Sequence, residues 1–136
     1  MRRVVGSLTL VAGLLLAAAP AMAHHSFAAE FDSSKVVTFT GVVTKVEWTN
    51  PHAWFYINVK DETGKVTNWG FEMGPPHLLQ RQGWERDSMK IGDVVTVNGT
   101  LAKNGTNRGN SRTVTFAAGP NKGKPMSAAS SEGQQN

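Results

Sequence analysis

The sequence predicts an all-β domain with one short helix, arranged as a five-stranded OB-like barrel that follows a cleaved signal peptide. Three observations predict this class: runs of β-branched and aromatic residues between turn residues, one short segment of helical character, and the position of that segment after the third run. Three strands, a helix and two strands, with a long bent first strand, is the order of the OB barrel. The alternative is a small open β-sandwich, which uses the same strands without a helix closing the barrel end.

Residues 1–23 have the three parts of a secretory signal peptide. Two arginines form a positive n-region, an apolar stretch follows over residues 4–19, and Ala-Met-Ala at 21–23 is the small-x-small pattern that signal peptidase cleaves. The apolar stretch is shorter than the ~20 residues of a membrane-spanning helix, and the chain has no cysteine for lipidation. We therefore expect a periplasmic or secreted protein that begins at His24 and keeps no stable membrane anchor.

The remaining chain, residues 24–136, suits a single domain with a modest apolar core. We predict an N-terminal extension over 24–34, an OB-like domain over 35–118, and a flexible tail over 119–136, where apolar residues are too few to offset the entropy of ordering. Loss of the two signal-peptide arginines lowers the formal net charge from +4 to +2. Because the remaining basic residues do not cluster, nucleic acid is not predicted as a partner.

The first two predicted strands differ in regularity. The first runs over residues 35–48 and contains Gly41, where a bulge or sharp bend is expected. The second runs over residues 52–60 and alternates between two faces, one aliphatic and one polar and aromatic. The predicted core face carries Ala53, Phe55, Ile57 and Val59, and the opposite face carries His52, Trp54, Tyr56 and Asn58.

The rest of the domain consists of three more strands and the helix. The predicted segments are a third strand over 66–73, the helix over 74–83, a fourth strand over 94–101 and a fifth over 112–118. The helix follows from two prolines that suit a first turn and from Gly83 as a C-terminal cap. The inward residues predicted on these strands are Trp69, Phe71, Val95, Val97, Leu101, Val114 and Phe116.

Trp54 and Tyr56 are the candidate ligand-binding residues. They lie opposite the aliphatic set of the second strand, and OB barrels bind ligands on strands two and three through aromatic side chains. An exported location and a weak charge favour a protein or small-molecule ligand over nucleic acid. These observations predict a non-enzymatic binding module with an exposed aromatic face.

The four histidines are the candidate metal ligands, and copper is the candidate cofactor. They are His24, His25, His52 and His77. Cleavage after Ala23 gives His24 a free α-amine beside its imidazole, a chelate that forms a Cu(II) site when another histidine adds a third nitrogen. Cleavage after Ala21 makes histidine the third residue of the chain, a spacing that also suits Cu(II). The opposite interpretation is a solvated terminus, with His52 as a turn residue and His77 at the surface.

Enzyme signatures are missing from the sequence. It contains no cysteine nucleophile, no Gly-x-Ser-x-Gly elbow, no phosphate loop and no His-Glu-x-x-His pair. Glu47, Glu72 and Glu85 are scattered over predicted strands and loops, and we expect them on the solvated surface. The one enzymatic alternative is an oxidative copper enzyme built on the His24 terminus.

Five short motifs are distributed along the exported part of the chain. They are His-His-Ser-Phe-Ala-Ala-Glu-Phe-Asp at 24–32, Gly-Val-Val at 41–43, Trp-Thr-Asn-Pro-His-Ala at 48–53, Gly-Trp at 83–84 and Gly-Asp at 92–93. Together they resemble a family of small exported bacterial proteins classed as a domain of unknown function. The resemblance implies a periplasmic address and implies no activity, cofactor or catalytic residue. The strand order is also similar, at the level of fold alone, to periplasmic bacterial OB-fold proteins.

Overall fold

The computed structural model describes residues 27–134. The predicted signal peptide and the candidate ligands His24 and His25 lie outside the described residues. The elements are α1 (Phe27–Glu30), β1 (Phe31–Glu47), β2 (Trp54–Lys60), β3 (Val66–Glu72), α2 (Pro76–Arg81), β4 (Val94–Ala102), β5 (Arg108–Phe116), β6 (Pro125–Ser127) and a 3-10 turn, η1 (Ser131–Gln134). In this part of the chain neither α-helix has the length and apolar composition that a membrane crossing requires.

The strands form one sheet whose pairing closes on itself. The order is β3-β2-β1-β4-β5-β6, and a parallel pairing of β3 with β5 joins the two ends of the five-strand segment into a ring. The long strand β1 pairs with β2 and with β4, so that Val42 lies opposite both Asn58 and Val94. This ring and the single helix between β3 and β4 confirm the predicted all-β class and its OB-like strand order.

The predicted bend in β1 has two local causes. A register shift lies between Val43 and Lys45 in the pairing with β2. At Gly41 the β2 backbone comes so close that an added Cβ would lie 2.5 Å from the Asn58 carbonyl oxygen. Only glycine allows that approach. The bend lets β1 pair with β2 on one side and with β4 on the other.

The interior of the ring is the hydrophobic core. Eight of the predicted inward residues are buried: Ala53, Phe55, Ile57, Phe71, Val95, Val97, Val114 and Phe116. Val59 and Trp69 are partly buried and pack against this cluster. The prediction for Leu101 is wrong, because a register shift between Asn98 and Gly99 reverses the alternation of β4 and buries Thr100 and Ala102 instead.

Helix α2 packs against the core at one end of the ring. Leu79 is fully buried, and Trp84 follows the helix with its indole N–H donating to the Ser127 carbonyl at 2.8 Å. The helix is shorter than the predicted 74–83, since Pro75 is still extended and Gln82 forms the C-terminal cap. Gly83 has a φ of +91°, so the predicted role of a glycine beyond the helix end is confirmed.

The C-terminal segment departs from the predicted flexible tail over 119–136. Residues 125–127 form β6 on the open edge of β5, and Met126 and Ala128 are buried in the core. Glu132 forms an ion pair with Arg112 of β5. The segment is low in apolar residues, but Met126 and Ala128 are spaced to cover this edge. They gain a burial that composition alone does not reveal.

Two strands begin earlier than the sequence predicts. Strand β1 begins at Phe31 inside the predicted extension, where Phe27 of α1 packs on it with ring centroids 5.4 Å apart. Strand β5 begins at Arg108 inside the predicted loop. An added Cβ at Gly109 would lie 2.8 Å from the Phe71 ring. Glycine is therefore required here by close packing, although the same residue type indicated a loop in the sequence.

Candidate functional site

The outer face of β1, β2 and β3 carries two neighbouring rows of side chains. In the first row, Trp54 of β2 is paired with Glu47 of β1 on one side and with Glu72 of β3 on the other. In the second row, Tyr56 is paired with Lys45 and Gly70, and Gly70 is paired in turn with Arg108 of β5. Cross-strand partners share one face of a sheet, so both candidate aromatic residues lie on a face with charged neighbours.

Tyr56 is fixed in place by three neighbours. Its hydroxyl donates to Glu47 Oε2 at 3.3 Å, and the Lys45 Nζ lies 5.3 Å from the ring centroid. The ring also lies against Gly70, where an added Cβ would be 2.8 Å from Cε1. Lys45 and Glu47 form an ion pair, and its hydrogen bond is the main reason that the pKa of Glu47 is lowered. Tyr56 is therefore half-buried and held, not a free stacking surface.

Trp54 is also half-buried, but the group over its ring is held by fewer interactions than the neighbours of Tyr56. The guanidinium of Arg108 lies over its ring, with Cζ 5.4 Å from the centroid. Arg108 is exposed, and within the described residues its side chain makes no hydrogen bond or ion pair. Its charge makes the smallest of the contributions that lower the pKa of Glu47, so the two groups lie within electrostatic reach. Trp54 and Tyr56 therefore lie on one face of the sheet, each half-buried with a cation over its ring.

Glu72 is a buried carboxyl at the edge of this face. It is 5% exposed, and its Oε1 lies 2.8 Å from Nδ1 of His52. Burial, with a smaller contribution from the charge of Glu30, raises the pKa of Glu72 to about 7. Burial also lowers the pKa of His52, against the opposing effect of Glu30. Burial thus favours the uncharged form of each group, a carboxylic acid at Glu72 and a neutral imidazole at His52.

His52 combines the predicted turn role with this side-chain contact. Its carbonyl oxygen accepts a hydrogen bond from Thr49 Oγ1 at 3.2 Å, which closes the turn that contains Asn50 and Pro51. Its ring reaches across to β3, which the sequence did not predict. His77 is exposed on α2, as expected for a surface residue.

A cleft of about 510 Å³ opens beside Trp54 and Glu72. It lies between α1, the start of β2 and the β4–β5 loop. The polar and aromatic residues along its wall include Glu30, Trp54, Glu72, Lys103, Asn104 and Arg108. The Lys103 side chain donates to the Ala28 carbonyl, and its backbone N–H donates to the Glu30 carbonyl at 2.9 Å. These two hydrogen bonds connect α1 to the β4–β5 loop at the edge of the cleft. Its wall includes the β4–β5 loop, one of the two loops with which OB folds bind ligands.

The described residues do not form a metal centre on their own. Across residues 27–134, no three His, Cys, Asp or Glu side chains lie close enough together to hold a metal ion. A metal site that includes His52 would need ligands from the chain before Phe27, where His24 and His25 stand.

The sequence contained one usable signal for Glu72 and none for Arg108. Glu72 was expected on the solvated surface, but the 61–65 loop fixes the pairing of Lys60 with Val66, and counting along the hairpin then places Glu72 opposite Trp54. Arg108 stood in a predicted loop. Its position beside Trp54 depends on the parallel pairing of β5 with β3, which local sequence does not encode.

Comparison with known proteins adds a family and no activity. No curated protein matches this chain. A model for a family of unknown function, DUF6152, matches residues 12–112, which is well over half of the chain. The resemblance indicated by the five short motifs is therefore confirmed, and the protein belongs to the DUF6152 family of unknown function.

Proposed function

We propose that the protein is a non-enzymatic periplasmic binding module that holds a small ligand in the cleft beside Trp54. The observation that carries the proposal is the convergence of an aromatic ring, a buried carboxyl and an exposed guanidinium, from Trp54, Glu72 and Arg108, on one cleft. Ligand sites of soluble proteins combine an apolar wall with a few converging polar groups in this way. The periplasmic address rests on the signal-peptide pattern of residues 1–23.

The size and position of the cleft support a small ligand. A volume of about 510 Å³ lies within the range of small-molecule sites, roughly 300–1,000 Å³. The β4–β5 loop in its wall is one of the two loops with which OB folds bind ligands. Tyr56 contributes by holding Glu47 beside Trp54 rather than by offering a free face.

Nuclear magnetic resonance titration of the processed protein, residues 24–136, tests this proposal. The probes are butylguanidinium as a cation, glutarate as an anion and glucose as a neutral polyol. We expect at least one probe to shift the Trp54 indole N–H and the backbone amides of Glu72 and Arg108 in a saturable way. The substitution Trp54→Ala should abolish these shifts, and Ile91→Ala, at an exposed apolar side chain elsewhere, should leave them unchanged. If none of the three probes shifts the cleft resonances, the proposal is wrong.

We propose copper binding at the processed N-terminus as a second candidate function. The observation that favours it is the position of α1, whose Glu30 lines the same cleft as Glu72, the partner of His52. His24 precedes Phe27 by three residues, a separation that an extended chain spans in about 10 Å. The α-amine and ring of His24 with a nitrogen of His52 would supply three nitrogen ligands for Cu(II). His25 and His77 are the alternative third donors.

Cu(II) titration of four proteins tests the copper site. They are the processed protein, a form with one extra N-terminal residue, His52→Ala and His77→Ala. We expect the extra residue and His52→Ala each to weaken Cu(II) binding, while His77→Ala leaves it unchanged. Equal affinity with and without the extra residue would remove the terminus from the site.

A further inference from the structure

Both aromatic rings of the outer face hold a cation that belongs to the chain itself. Lys45 lies over Tyr56 and Arg108 over Trp54. The Trp54 ring also stands between two carboxyl groups, because Glu47 and Glu72 are its partners on the neighbouring strands. A ring face attracts cations through its quadrupole. The Glu47 carboxylate adds to that attraction, and Glu72 adds to it above about pH 7, where its carboxyl is ionised. The surroundings of Trp54 therefore favour a positively charged group over its ring.

The two cations differ in how firmly they are held. Lys45 is ion-paired with Glu47. The Arg108 side chain lies over Trp54 and, within residues 27–134, makes no hydrogen bond or ion pair. An exposed cation–π contact changes a binding constant by about two- to fivefold. A ligand can therefore replace Arg108 at small cost, while Lys45 stays in place.

Glu72 offers a further contact inside the cleft. Its Oε1 lies 2.8 Å from Nδ1 of His52. No hydrogen bond from the described residues reaches its Oε2. The carboxyl lines the cleft beside Trp54. Oε2 is thus available to accept a hydrogen bond from a ligand N–H in the cleft, and a donor with a positive charge is favoured most when Glu72 is ionised.

Resting on the proposed function, we propose that the ligand of the cleft is a small organic cation, an amine or a guanidinium, that replaces Arg108 over Trp54 and donates a hydrogen bond to Glu72. Arg108 is then a built-in competitor that occupies the aromatic face when the ligand is absent.

The test compares butylguanidinium with butylurea, two probes of similar shape that differ in charge. Binding is measured by calorimetry at about pH 8, above the pKa of Glu72 of about 7, so that this carboxyl is ionised. The Trp54 indole resonance locates the binding site. We expect butylurea to bind about tenfold more weakly or worse. We expect Glu72→Gln to weaken butylguanidinium about tenfold and Arg108→Gln to tighten it about two- to fivefold. The matched controls Glu85→Gln and Arg86→Gln, at exposed positions, should leave both affinities unchanged.

The outcomes separate this inference from the proposed function. If glutarate or glucose binds at Trp54 and butylguanidinium does not, the cleft is a binding site for another ligand class and only the cation inference fails. Equal binding of butylurea, or weaker binding of butylguanidinium to Arg108→Gln, also overturns it. If a tri-arginine peptide shifts the Trp54 resonance and butylguanidinium does not, the partner is a protein and the small-ligand inference is wrong. Should Glu72→Gln fail to fold, Arg108→Gln, at an exposed side chain, decides the question alone.

Discussion

The seven residues of strand β2 alternate between two faces of the sheet, and the two faces differ in their surroundings. On the inner face Phe55 and Ile57 are fully buried among apolar side chains. On the outer face Trp54 and Tyr56 are half-buried and contact charged groups from β1 and β5. The inner face therefore owes its stability to burial, whereas the outer face holds rings in place without covering them fully. The inner face therefore serves the fold, and binding at the outer face is our proposal.

The largest effect expected from this comparison is on stability. Phe55→Ala should lower the free energy of unfolding by about 3–5 kcal/mol, because it leaves a cavity in the core. Trp54→Ala should lower it by about 1–2 kcal/mol, since the indole is half-exposed and its main partner is a surface cation. Urea unfolding of the two variants measures both values. A cost for Trp54→Ala as large as that for Phe55→Ala would mean that the outer face is a second core.

The strand order and the inner-face residues could be predicted from the sequence, because alternation and turn residues are visible in short stretches of it. The same alternation failed for Leu101, where a register shift in β4 moved the inward positions by one residue. The C-terminal segment was missed for a different reason. Met126 and Ala128 gain their burial from the edge of β5, which composition cannot describe.

The candidate site was predictable only in its aromatic part. Trp54 and Tyr56 were identified by their position opposite the core residues. Glu72 needed the exact hairpin pairing, and Arg108 needed the closure of the ring by β3 and β5. The cleft is assembled from segments far apart in the chain, so its charges emerge from tertiary structure rather than from a motif.

A second prediction concerns the buried carboxyl of the outer face. The pKa of Glu72 rises from 4.5 to about 7 on folding, so the folded state holds its proton more tightly than the unfolded state. The stability contributed by this group is complete below pH 4.5 and is lost as the pH rises through about 7. The amide of Glu72→Gln is neutral, like the protonated acid, so this variant does not lose that stability as the pH rises. Its stability relative to wild type should therefore rise with pH, by up to about 3 kcal/mol.

Urea unfolding of both proteins at several pH values between about 4 and 8 checks this prediction. His52 also makes stability depend on pH, because its lowered pKa costs stability as the pH falls. Both proteins contain His52, so this effect is present in each of the two measurements. Glu85→Gln, an exposed glutamate, is the control and should show a flat difference. A flat difference for Glu72→Gln as well would show that the carboxyl is not desolvated in solution.

The smallest effect is expected at the cation over Trp54. Arg108→Gln should change the free energy of unfolding by less than about 1 kcal/mol, since an exposed cation–π contact contributes no more than that. Thermal unfolding beside Arg86→Gln measures the difference. A loss of several kcal/mol would show that Arg108 is a structural residue and not a displaceable one.

The measurement that tests the account most directly is the affinity of Trp54→Ala for butylguanidinium, determined together with its free energy of unfolding. If the outer face serves binding, the variant should lose at least about tenfold in affinity while it retains most of its stability. Unchanged affinity for butylguanidinium in a stably folded Trp54→Ala protein would contradict the account.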